Sequence, residues 1–289
     1  GGEISGIHWQ GIQLPIFRKI DLNQLGCRPG DNRSWKTYMS QLSTSEEKID
    51  WIKSENWHSN QITSRGSLPK QVCQIRFLII GAGALGSVIS EMLVRAGATE
   101  LVIIDNDNMQ MGNLTRHTLT LSDIPNPKAI NLAEHLNLCS PNVNVKGINS
   151  NFPPSDVESI ELIKTCTTII DCTGDSEIIH LMNSYEWGEK KIYFISFSVG
   201  MKAKRLFAYW AEDTKFPKQD FYNNIKDWLL KERSEFSEEE FPREGIGCWN
   251  PIFPARIDDM WLMASASIKF IEESIQNVAK KPVFIVYEQ

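Results

Sequence analysis

The chain has 289 residues, 42% of them hydrophobic and 23% charged, with a formal net charge of −6. That is enough apolar material for one sizeable core; the acidic balance argues against a general nucleic-acid binder, which needs clustered Lys and Arg, and no apolar run approaches the roughly 18 residues of a membrane span. No basic stretch followed by an apolar run marks a signal peptide, and the six cysteines, none in a C-x-x-C pair, match neither the usual structural zinc pattern nor a secreted disulfide framework, so a cytoplasmic protein with free thiols is expected.

Residues 1–64 mix Trp, Ser, Asn and charge and read as an N-terminal extension or a linker from a preceding domain. Within it, Ser43 with Glu46 three residues on has the form of a helix start, and a helix is expected to about Ser54. From Ile75 the pattern sharpens. The apolar run 75–80 suits a buried parallel strand. Gly81-Ala82-Gly83-Ala84-Leu85-Gly86 follows at once, then Val88, Met92, Leu93 and Ala96 at helical spacing up to Gly97. A second strand, 101–104, ends at Asp105. Strand, glycine turn, helix, strand and acid make a nucleotide-binding unit.

The alternation continues. Helices are expected over 128–138, 160–166, 177–186 and 259–275, and strands over 143–148, 167–171, 192–198, 203–210 and 283–287. The charged and aromatic stretch 216–241 reads as an exposed insertion or mobile crossover. The expected fold is α/β: a Rossmann-like, doubly wound, mostly parallel sheet over 65–289, with a crossover and cysteine-bearing segment at 211–257.

Gly81, Gly83 and Gly86 permit a tight turn and close approach of backbone to phosphate at a helix N-terminus. Asp105 can accept both ribose hydroxyls. Dinucleotide-dependent oxidoreductases share both features, so that alternative stays open. Further residues favour a triphosphate. Arg116, in Gly112-Asn113-Leu114-Thr115-Arg116-His117, and Lys128, at the head of a helix, can reach over the same strand ends. Asp171 and Asp175, in Asp171-Cys172-Thr173-Gly174-Asp175, lie at the end of the strand 167–171, where a carboxylate suits Mg²⁺ held with phosphate oxygens. Attack of a carboxylate on an α-phosphorus builds charge on phosphate oxygens, and Arg, Lys and Mg²⁺ meet that demand.

GAGALGS, LVIIDND, GNLTRH, NPKA and IIDCTGD together resemble the ThiF/MoeB/HesA superfamily of ubiquitin-activating-type adenylating enzymes, over about residues 65–275. The resemblance implies ATP and Mg²⁺ as cofactors. It implies a nucleotide site of Gly81, Gly83, Ala84, Leu85, Gly86, Asp105, Asp107, Asn113, Arg116, Lys128 and Asp171, with Arg116 and Lys128 catalytic and Asp175, or Asp171, on the metal. It implies a homodimer acting on an acceptor protein with a C-terminal carboxylate tail. Two departures stand out: the zinc C-x-x-C pairs of many members are missing, and Arg65 is the nearest counterpart to their N-terminal triphosphate arginine. An incomplete clamp would make the chain a catalytically weak, ATP-binding pseudoenzyme, a further alternative.

Cys248, in Gly245-Ile246-Gly247-Cys248-Trp249-Asn250-Pro251, has glycines around it and a helix N-terminus expected at 256–259, features that make room for a thiolate and lower its pKa. It is the expected acceptor of the acyl group as a thioester; Cys27, Cys73, Cys139, Cys166 and Cys172 are assigned to packing or surface. The cysteine segment resembles that of prokaryotic activating domains fused to a conjugating-enzyme-like domain in CBASS antiphage operons. That implies a ubiquitin-like or cGAS-like nucleotidyltransferase acceptor.

Overall fold

In the computed structural model the described residues are 10–13, 32, 36–37, 39–40, 43, 50–55, 57–236, 243–244, 250–251, 254–276 and 281–289. Contacts divide the chain into two units, Gly1–Ile62 and Thr63–Gln289. In the first, β1 (Gly11–Gln13) pairs antiparallel with β2 (Asp50–Ile52), and α1 (Ser59–Ile62) closes the unit. The helix expected to run to Ser54 therefore does not reach that far: Asp50-Trp51-Ile52 is extended, and its backbone bonds go across to Gly11–Gln13. The expected capping residue Glu46 lies outside the described residues.

The second unit opens with α2 (Lys70–Cys73) and builds a sheet of seven strands. β3 (Arg76–Ile80), β4 (Glu100–Ile104), β5 (Asn144–Ile148), β6 (Thr168–Asp171) and β7 (Ile192–Val199) run parallel, while β8 (Arg205–Asp213) and the closing β11 (Val283–Glu288) are antiparallel neighbours. The spatial order is β11-β8-β7-β6-β3-β4-β5. Progress from β3 runs one way through β4 and β5, then reverses to β6 and β7, leaving a crevice at the carboxyl ends of β3 and β6. A short antiparallel pair, β9 (Arg243–Glu244) with β10 (Asn250–Pro251), precedes the last helix.

Strand alternation divides the apolar side chains between two layers. Phe77, Ile79, Leu101 and Ile103 pack with α3 (Ala84–Arg95), α4 (Lys128–Cys139) and α8 (Ile257–Gln276) on one face. Leu78, Ile80, Val102 and Ile104 pack on the other face with α5 (Val157–Lys164), α6 (Ser176–Ser184) and α7 (Lys218–Glu235).

α7 corrects the expected exposed insertion. Its average polarity hides a narrow stripe: Phe221 and Ile225 are buried one turn apart, behind the fully buried Phe216. Tyr209 packs edge-on against Phe221 and donates its hydroxyl to Asp220 at 2.9 Å. At the far end buried Arg205 donates to Glu232, Glu235 and Glu288, and Glu232 accepts from the Met201 amide at 2.9 Å. Three carboxylates around one guanidinium satisfy a charge that would be costly alone, and fasten α7 to the β7–β8 turn. Residues 237–242 lie outside the described residues.

Candidate functional site

The site is built on strand tips. β3 ends at Ile80, and Gly81 turns the chain with φ +94°, a conformation that glycine adopts without steric penalty. A Cβ on Gly86 would stand 2.0 Å from the Gly81 carbonyl oxygen, so the first turn of α3 folds tightly back on the strand end. A Cβ on Gly83, the N-cap of α3, meets nothing within 4 Å. That backbone face is open to a phosphate, and the helix N-terminus supplies amides and a favourable dipole.

Asp105 locks this turn to β4. Its Oδ2 accepts from the Ala82 amide at 2.6 Å and its Oδ1 from the Asp107 amide at 2.7 Å. Each carboxylate oxygen retains acceptor capacity for a ribose hydroxyl. Beyond Asp105, Asn108 bridges to Pro127, and the Lys128 amide donates to the Asp107 carbonyl at 2.9 Å. Lys128 therefore starts α4 against the strand end, its Nζ 2.8 Å from Asp107 Oδ2. Lys128 is a buried residue, only 7% exposed, and lines the crevice, so the stem of the side chain is packed while its charge faces the cavity.

Asp171 ends β6 in a buried position. Oδ1 accepts from the Thr173 amide and hydroxyl, and Oδ2 from the Ser196 hydroxyl. Burial pushes its carboxyl up to about 6, against the pull of those hydrogen bonds. The proton is thus bound more tightly in the folded state than in the unfolded one. That stability is present below the ordinary pKa near 3.8 and is lost as pH rises through about 6. Relative to Asp171→Asn, the wild type should lose roughly 2–3 kcal/mol between pH 4 and 6, read by urea denaturation without divalent cations. An unchanged difference across that window contradicts the assignment.

Asp175 lies four residues on. It caps α6, its Oδ1 accepting from the Glu177 amide at 2.8 Å, and it is exposed to the crevice. Oxygen donors here suit a hard divalent cation. Among the described residues, four carboxylates, Asp105, Asp107, Asp175 and Glu177, line the crevice against the single ammonium of Lys128. A bare triphosphate would meet net negative charge, so an accompanying cation fits the donor set present. Asp171, committed to Thr173 and Ser196, orients the segment that carries Asp175.

The crevice holds about 620 Å³ and also takes in Ser150 and Asn151 beyond the tip of β5, a size usual for small-molecule sites. It shares Gly83, Cys172, Thr173 and Asp175 with a second, mainly apolar chamber of about 580 Å³, lined further on by Phe197, Phe207, Phe221, Ile225 and Met260. Sequence reading missed this chamber and Ser150-Asn151. The available signals were the polar pair closing the third strand and the Phe221–Ile225–Leu229 spacing on α7.

The expected residues are thus divided between the two cavities, the turn behind them and positions outside. Gly81, Gly83, Asp105, Asp107, Lys128 and Asp175 line the crevice; Ala84, Leu85 and Asp171 line the adjoining chamber, and Gly86 shapes the turn from behind. Asn113 and Arg116 belong to the 3-10 turn Met111–Thr115 and its C-terminal cap, outside the set lining either cavity; Asn113 Oδ1 accepts from the Gln110 amide at 2.9 Å. Exposed Arg65 is also outside that set, and Cys248 lies outside the described residues. His117 is structural: its Nδ1 accepts from the Leu119 amide at 3.0 Å, so Nε2–H donates to the Ala82 carbonyl at 2.6 Å. Burial lowers its pKa, which favours this neutral ring. Burial pushes the Cys172 thiol well above its ordinary value, in keeping with packing.

Comparison with known proteins agrees with this architecture. Residues 1–57 match the model of the Cap2 central linker domain, and residues 59–226 that of the ThiF family. The chain is 36% identical, over 94% of its length, to an ATP-dependent ubiquitin transferase-like protein Cap2 of Enterobacter hormaechei subsp. hoffmannii (strain UCI 50), spanning 44% of that relative. It is 34% identical, over 39% of its length, to the sulfur carrier protein ThiS adenylyltransferase of Bacillus subtilis (strain 168), covering 34% of it. The chain thus spans less than half of either curated relative. Among solved structures, microcin C7 biosynthetic enzyme MccB in complex with N-formylated MccA shares the fold, with TM-score 0.50, 16% identity, and coverage of 76% of this chain and 65% of that one. With the glycine turn, Asp105, Lys128 and the β6 carboxylates gathered at one switch point, and a match over more than half its length, the chain belongs to the ThiF family.

Proposed function

We propose that the chain is the ATP-dependent adenylating domain of a ubiquitin-activating-like enzyme. The observation that carries this reading is the buried Lys128 ammonium facing the same crevice as the open glycine turn and the Asp105 and Asp175 carboxylates. ATP lies with its ribose on Asp105 and its phosphates over the Gly81–Gly83 backbone. Lys128 faces the triphosphate, and Asn113 and Arg116 close on it from the 3-10 turn. Mg²⁺, held by Asp175 with Asp171 behind it, neutralises phosphate charge when bound.

The acceptor's C-terminal tail enters through the apolar chamber, which shares Gly83 and Asp175 with the crevice. Its carboxylate oxygen attacks the α-phosphorus, the new O–P bond forms, and pyrophosphate leaves. Lys128 takes up the charge that develops. The Cys248 thiolate then attacks the acyl carbon, giving a thioester and AMP. The acceptor is a ubiquitin-like or cGAS-like protein, the next carrier is a conjugating-enzyme-like domain, and bacterial antiphage defence is the setting. The names of the two curated relatives, one a transferase-like and one an adenylyltransferase, support the chemistry. A homodimer belongs to the same proposal and is checked by light scattering.

The test is ATP–pyrophosphate exchange in the presence of candidate acceptor proteins. Exchange should depend on the acceptor's terminal carboxylate and vanish when its last residues are removed. Cys248→Ala should retain exchange while losing the thioester on non-reducing gels. No exchange with any acceptor from the neighbouring genes contradicts adenylation; a thioester that survives Cys248→Ala removes that residue from the second step.

A further inference from the structure

α3 and α4 meet again far from the crevice, where Glu91, His135 and Cys139 converge. Their ligand atoms all lie within 4.8 Å of one another, and each residue is half-buried. His135 Nε2 stands 3.3 Å from Glu91 Oε2 and 3.8 Å from Cys139 Sγ. Tetrahedral coordination with bonds of 2.0–2.3 Å separates neighbouring ligand atoms by about 3.3–3.8 Å. We propose that Glu91, His135 and Cys139 form a zinc site that clamps α3 to α4, with water completing the tetrahedron.

Three features favour a metal over a reactive cysteine. One ring nitrogen, Nε2, faces both the carboxylate and the thiol. A relay of the kind that activates a nucleophile needs the two different nitrogens, one accepting from the thiol and one donating to the acid. Each donor is also of a type that zinc takes, one sulfur, one imidazole and one carboxylate. Glu91 is moreover held from behind: Arg95 Nε donates to Glu91 Oε1 at 2.7 Å, leaving Oε2 turned toward His135. A hydrogen-bonded partner on the second oxygen is what orients a monodentate ligand.

Binding replaces the Cys139 S–H bond with a sulfur–zinc bond and releases one proton to solvent. The ion ties the helix that opens with the glycine turn to the helix that opens with Lys128. It therefore braces the crevice without lying in it.

Cobalt titration of the metal-stripped, reduced full chain tests this. Saturation is expected at one Co²⁺ per chain, with the visible bands of tetrahedral cobalt and a thiolate charge-transfer band, both displaced by Zn²⁺. Cys139→Ser should remove the charge-transfer band, and His135→Ala or Glu91→Gln should weaken binding tenfold or more at unchanged far-UV circular dichroism. Cys248→Ala should keep the full spectrum. Zn²⁺ should raise the melting temperature of the wild type and leave that of Cys139→Ser unmoved. A wild type without these bands, a charge-transfer band that persists in Cys139→Ser, or one lost with Cys248→Ala would overturn the site.

Discussion

Lys128→Ala should reduce acceptor-dependent ATP–pyrophosphate exchange by roughly a hundred- to a thousandfold, the usual cost of deleting one preorganised group that meets developing charge. Lys128 is 7% exposed as a residue, and its Nζ stands 2.8 Å from Asp107. Beside the low-dielectric wall of the crevice its attraction for phosphate oxygens is larger than in bulk water. The fold should bear the change, because the partner left behind, Asp107, is 64% exposed and rehydrates at a cost of about 1 kcal/mol or less. Urea denaturation should thus find the variant near wild type while exchange collapses. Lys128→Arg should not rescue fully, since a planar guanidinium forks its donors where the ammonium presents a compact point charge. Exchange within a few-fold of wild type would remove Lys128 from the chemistry.

Gly86→Ala should damage the protein more broadly. The added Cβ would sit 2.0 Å from the Gly81 carbonyl oxygen and 3.2 Å from the Cys172 Cβ. The first obstacle is backbone, so no rotamer change relieves it and the turn must open. A loss of roughly 3 kcal/mol or more in stability is expected, with ATP affinity falling below detection. Gly83→Ala separates space from strain. Its Cβ points into open crevice and should cost about 1 kcal/mol or less, yet weaken ATP binding by standing where a phosphate lies. Thermal melts and titration calorimetry on the pair distinguish the two effects. Equal stability of both variants would contradict the tight turn.

What was legible in the sequence was local. The five-residue apolar β3, the glycines behind it and Asp105 closing β4 follow from period, backbone freedom and strand length, and the structure keeps all three. α7 was not legible, because its buried stripe is narrow and its Glu232 becomes comfortable only against Arg205, 27 residues away. Asp50–Ile52 follows the same lesson, since a helix-start signal at Ser43 carries no information about the partner strand at Gly11–Gln13. The site shows the same division. Asp105, Lys128 and Asp175 could be placed because each follows a strand end or opens a helix. The bonds that fix Asp171, from Thr173 and from Ser196 on the neighbouring strand, and the role of Asn113 within its own turn, depend on folded geometry. The Glu91–His135–Cys139 cluster joins residues 44 positions apart, so spacing rules for metal ligands pass over it.

Titration calorimetry with a non-hydrolysable ATP analogue and Mg²⁺, run beside NADH, tests whether this crevice is an ATP site rather than a dinucleotide site. One analogue should bind per chain, with affinity lost in Lys128→Ala and reduced in Asp175→Asn only while Mg²⁺ is present; NADH should give no heat. Tight NADH binding that ignores Lys128, with no response to the ATP analogue, would contradict the account.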